Sequence, residues 1–97
     1  MGEQLAFLAH RQDDMVAVAV RDVETGHGEF ASLDSGERRP ITVREPIKLG
    51  HKVALVEIAE GEEVIEYGQK VAIATADIAV GALVHVHNVR SARWQLA

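Results

Sequence analysis

An all-β barrel or clip of short strands is the fold class this sequence predicts. Three observations carry the expectation. Apolar residues recur with period two, glycines punctuate the chain at short intervals, and no stretch sustains helical periodicity beyond about two turns. The 97 residues make one domain, 1–97, with its core expected over about 15–94. A chain of this size buries roughly 60–70% of its unfolded surface, enough for one core. Thirteen Val and six Ile against four aromatic residues make that core thin and aliphatic.

The elements follow in order. Residues 5–9 (Leu-Ala-Phe-Leu-Ala) are apolar, but shorter than the hydrophobic region of a secretory leader and without a basic residue before them. No segment approaches membrane-spanning length, so a cytoplasmic protein without membrane contact is expected. Residues 15–20 place Val16, Val18 and Val20 on one face and Met15, Ala17 and Ala19 on the other, which suits a strand buried on both sides. Short strands are then expected at 41–43 between Pro40 and Pro46, and at 52–58, 64–65, 71–74 and 83–89. Alanine favours helix in 71–74, yet Gly68 before it and the strand-like alternation within it argue for a strand.

A weak repeat runs through the chain. Asp22-Val23-Glu24-Thr25-Gly26, Glu57-Ile58-Ala59-Glu60-Gly61 and Asp77-Ile78-Ala79-Val80-Gly81 share acid, aliphatic residue, two residues, glycine. Such turns let the acid accept from nearby backbone N–H groups, the aliphatic residue plug the core and glycine adopt positive φ. These acids are therefore turn formers rather than catalysts. Residues 26–39, with Gly26, Gly28, Gly36, Ser32, Asp34 and Ser35, are expected to be a flexible loop carrying an exposed His27.

Composition excludes several function classes. The formal net charge of −5 argues against nucleic acid, whose binding rests on phosphate neutralisation. With no cysteine there are no disulfides, thiolate metal sites or cysteine nucleophiles. No phosphate-cradling glycine loop, nucleophile elbow or His-Glu-x-x-His helix is present.

What remains is histidine chemistry. His85-Val86-His87-Asn88 sits in an apolar run. On an extended strand His85 and His87 would share a face, roughly 7 Å apart at about 3.3 Å per residue. Imidazoles so placed are candidate metal ligands or proton carriers, although two cannot complete a zinc or non-haem iron site. Gly50-His51-Lys52 opens another strand, where His51 is a candidate base, acid or ligand and Lys52 a candidate carboxylate holder. His10 lies in a polar turn and reads as surface. Trp94, after the last strand, either caps the domain or fills a partner's pocket.

Taken together, Glu45-Pro46-Ile47-Lys48-Leu49-Gly50-His51-Lys52-Val53-Ala54, Tyr67-Gly68, Ala74-Thr75-Ala76-Asp77-Ile78 and Val84-His85-Val86-His87-Asn88-Val89 resemble the SAF domain of the altronate/galactarate dehydratase family. The resemblance covers most of the chain, from about Met15 to Trp94. It implies a small β-clip domain, found at the N-terminus of sugar-acid dehydratases and as a separate small subunit, including that of sulfolactate sulfo-lyase. The implied role is that of the small subunit of a metal-dependent lyase, inactive without its large catalytic subunit. The implied reaction is β-elimination from a small hydroxy acid, with a divalent metal, Fe2+ by analogy with the dehydratases, shared between the subunits. On this basis His51 and Lys52 are the expected catalytic residues and His85 and His87 the expected metal ligands. Asn88 either binds substrate or fastens a turn through side chain–backbone bonds. The competing expectation is a non-catalytic SAF module that binds a carbohydrate or protein partner.

Overall fold

The computed structural model describes residues 5–91, and Trp94 lies outside them. Among the described residues nine short strands follow one another: β1 (Leu5–Ala9), β2 (Val16–Ala19), β3 (Gly26–Ser32), β4 (Arg38–Val43), β5 (Lys52–Ala54), β6 (Glu63–Glu66), β7 (Gln69–Ala74), β8 (Leu83–Val84) and β9 (Val89–Ser91). Six of them form one sheet in the order β4-β3-β1-β2-β5-β8, and three form a second in the order β6-β7-β9. The β1–β3 pair is parallel; every other pair is antiparallel. There is no helix among the described residues, so none is long and apolar enough to cross a membrane. The all-β expectation holds.

The alternation within β2 explains the architecture. Ala17 and Ala19 enter one core with Phe7, Val43, Ile47 and Val53. Val16, on the opposite face, enters a second core with Ala54, Ile58, Val64 and Ile78. Its neighbour β5 divides in the same way, Val53 to the first core and Ala54 to the second. A period-two strand with two apolar faces thus becomes a partition between two small cores. The core also starts earlier than expected, because Ala6 and Phe7 of β1 are fully buried.

The expected loop at 26–39 is corrected. Residues 26–32 form β3, paired with β1 and β4, and only the turn to Arg38 is irregular. Gly28 is buried within this strand, where an added Cβ would make ordinary van der Waals contact. A Cβ on Gly28 would lie 3.5 Å from the Ala6 Cβ and 3.8 Å from Val43. His27 is exposed on this strand, opposite Thr42.

The repeat is real and has a fourth member. Val23 bridges Ile47, and Ile58 bridges Ile78, so the aliphatic plugs face one another in two pairs. The acids act across each pair. Asp22 accepts the Leu49 N–H at 2.9 Å, and Asp77 accepts the Glu60 N–H at 2.9 Å. Each carboxylate therefore anchors the partner loop two residues beyond its buried aliphatic residue. Glu45-Pro46-Ile47-Lys48-Leu49-Gly50 is the missed copy, disguised by the Pro46 inserted between acid and plug.

Candidate active site

Antiparallel register brings the first two histidines together. Lys52 pairs with Val84 and Val53 with Leu83 across β5 and β8. One step further along the same register, His51 faces His85. Directly opposed residues hold their Cβ atoms about 4.5–5.5 Å apart. The rings stack accordingly, with centroids 4.8 Å apart and planes inclined by 21°. His51 is fixed by its backbone, donating to Lys48 O at 2.9 Å and accepting from Ala19 N at 2.8 Å.

The expected strand at 83–89 is corrected, and with it the shared face of His85 and His87. Strand β8 stops at Val84 because Asn88 captures the next amide. Its Oδ1 accepts the His85 N–H at 2.9 Å, while its amide nitrogen donates to Leu83 O at 2.8 Å. The His85 carbonyl then accepts from Asn88 N at 2.9 Å and Val89 N at 3.0 Å. The chain turns through 85–88 and enters β9 in the second sheet. His87 stands exposed on this turn, and no ring contact involves it among the described residues. Asn88 is buried with its oxygen and amide nitrogen both engaged inside the turn, so the structure places it as the fastening. Removing that fastening leaves the His85 N–H and the Leu83 carbonyl unpaired. Asn88→Ala should therefore destabilise the domain by about 1–3 kcal/mol. It should also abolish the mutual ring-current shift of His51 and His85, measurable by proton NMR.

Lys52 points into a cleft of about 520 Å³ between the two sheets. Its ammonium lies 2.6 Å from the Glu66 carboxylate, itself only 8% exposed. Val16, Val64, Val84 and Val89 supply apolar walls, and His85 and Arg90 reach the rim. A charge-assisted bond of this kind holds a lysine that would otherwise sample many rotamers. Glu66 was not anticipated from the sequence. The signal was present, since it lies two residues after the buried Val64 and so shares the inward face of β6.

A second cluster gathers at the β6–β7 turn. Buried Asp14 accepts from His10 N at 2.9 Å and from Tyr67 N at 2.7 Å. Tyr67 has φ +56°, a conformation uncommon for a non-glycine residue. The Arg11 guanidinium lies 4.8 Å from its ring centroid, over the face. This cluster ties the β1–β2 turn to the second sheet.

No three His, Asp or Glu side chains gather around a point among the described residues. The two paired imidazoles stack, and lone pairs that lie in nearly parallel ring planes do not converge on one ion. The described residues of this chain do not, as arranged, fit a divalent ion by themselves.

Comparison with known proteins gives a consistent result. A family model described as the altronate/galactarate dehydratase SAF domain matches residues 5–92. Altronate dehydratase of Escherichia coli (strain K12) is 44% identical over 80% of this chain, and that of Bacillus subtilis (strain 168) is 38% identical over 84%. The chain spans only 15% of the length of either enzyme. The (2R)-sulfolactate sulfo-lyase subunit alpha of Chromohalobacter salexigens is 37% identical, over 91% of this chain and 96% of its own length.

Proposed function

The chain belongs to the altronate/galactarate dehydratase SAF domain family, and from that premise we propose that it is the small subunit of a lyase that performs β-elimination on a hydroxy acid. The observation that carries this reading is the His51–His85 pair, set beside the Glu66-held Lys52 at one cleft. Similarity to a sulfo-lyase subunit along almost its whole length supports the subunit form.

The chemistry needs a base at the α carbon and, where hydroxide leaves, an acid at the leaving oxygen on the neighbouring carbon. The difficult step is removing the weakly acidic proton α to a carboxylate. One imidazole of the pair takes that proton. The C–H electrons form the new double bond as the bond to the leaving group breaks. Where hydroxide leaves, the other imidazole protonates it to water; where sulfite leaves, it departs with its electron pair and needs no such proton. Two rings 4.8 Å apart can serve adjacent substrate atoms. Lys52, steadied by Glu66, offers positive charge to the substrate carboxylate. A divalent ion such as Fe2+ would stabilise the enolate-like charge as a Lewis acid. This chain's described donors do not gather three to a point, so such an ion would be shared, with ligands from the large subunit completing its site.

The test is co-expression with the large lyase subunit encoded in the same genome. Anaerobic assays with Fe2+ would use galactarate, altronate and sulfolactate in turn. The pair is expected to turn over one of these, with neither subunit active alone. An inactive pair that still binds a sugar acid would point instead to the carbohydrate-binding module.

A further inference from the structure

The 85–88 turn presents a side chain that this domain does not use. Val86 is 80% exposed, flanked by His85 and His87, at the rim of a cleft whose walls Val16, Val64, Val71, Val84 and Val89 make largely apolar, with Lys52, His85 and Arg90 also lining it. A β-branched apolar residue at the tip of a turn gains nothing from water, and an apolar rim beside an apolar groove marks an interaction surface.

We propose that this cleft, with Val86 as its projecting knob, is the docking surface for the large lyase subunit. The inference rests on the function proposed above and identifies which face serves it. The occupant is argued from where the relatives' chains go. In the altronate dehydratases the matched region is N-terminal and accounts for 15% of the chain, so the polypeptide continues past the equivalent of β9 into a much larger body. Here β9 itself lines the cleft through Val89, Arg90 and Ser91. The larger body in those enzymes therefore departs from the cleft wall. A separately encoded large subunit seated in the same way covers this face. Docking there also buries the cleft that holds His85 and Lys52, which excludes water from the proposed reaction. The isolated chain then lacks both a closed site and the remainder of the catalytic groups.

The experiment measures association and turnover separately, with the co-expressed large subunit as the probe. Val86→Asp places a charge on a side chain that is already exposed, so its circular dichroism and melting should match the original chain. It is expected to weaken association at least about thirtyfold by calorimetry, as loss of a central apolar anchor does. Leu33→Asp is the control. Leu33 is 63% exposed in the β3–β4 turn, at the opposite edge of the six-stranded sheet from β8, and its substitution should leave association within about twofold. An active pair in which Val86→Asp binds normally would overturn the docking inference and leave the lyase reading intact. An inactive pair whose association Val86→Asp disrupts would uphold the docking face and overturn the lyase reading. A homodimer of this chain that Val86→Asp dissociates, with no large subunit bound, would assign the face to a second copy and overturn the proposal.

Discussion

Replacing Gly81 with alanine is expected to cost at least about 4 kcal/mol, a large share of the 5–15 kcal/mol typical of a folded domain. Gly81 adopts φ +86°, and a Cβ built there falls on the carbonyl oxygen of Thr42, far inside van der Waals contact. The obstruction is backbone, so no side chain can swing aside. Both polar groups of Gly81 are also committed, its N–H to Ala54 O at 2.8 Å and its carbonyl to Arg44 N at 2.9 Å. These bonds join the end of β4 to the turn that launches β8, and β8 delivers His85 to His51. Gly61 gives the comparison. Its φ is +87°, nearly the same, but nothing lies within 4 Å of an added Cβ. Gly61→Ala should therefore cost only the left-handed backbone penalty, about 1–2 kcal/mol. Urea unfolding of the two variants separates conformation from crowding, and equal losses would show that the Gly81–Thr42 approach does not matter.

Much of this fold was legible because its strands announce themselves locally. Val16 to Ala19 reads as a doubly buried strand, and it becomes the partition between two cores. The repeated turns were legible too, since the acid, plug and glycine sit at fixed offsets. Three things were not. The strand at 26–32 has glycine, serine and charged residues where strand propensity is low, and only the inward series Gly28, Phe30, Ser32 betrays its period. The end of β8 depends on Asn88 bonding an amide three residues back, which overrides an otherwise unbroken strand pattern. The meeting of His51 with His85 is set by a pairing between segments more than thirty residues apart. Local periodicity carries no register for such a pair. Spacing sets His85 beside His87, whereas the β5–β8 register sets it beside His51.

That re-pairing has a measurable consequence. In the proposed two-subunit enzyme acting as a dehydratase, where one ring takes a proton and the other gives one, His51→Ala and His85→Ala should each lower turnover by about 10²- to 10⁴-fold, the range lost when a general acid or base is removed. Neither ring is buried in a core, and their strands are held by backbone bonds through Ala19, Lys48 and the Asn88 turn. Folding should therefore survive, and the loss should appear in kcat rather than in stability. His87→Ala is the discriminating variant. His87 lies exposed beyond the strand, outside the stacked pair. Its loss should leave turnover within about threefold, far short of the general acid–base range. A His87→Ala enzyme as impaired as His85→Ala, with His51→Ala active, would restore the pairing that spacing suggested and overturn the site drawn from the β5–β8 register. The double variant adds a further constraint. Two groups that serve one elimination act as a unit, so His51→Ala with His85→Ala should fall little below the worse single variant, whereas independent roles would multiply.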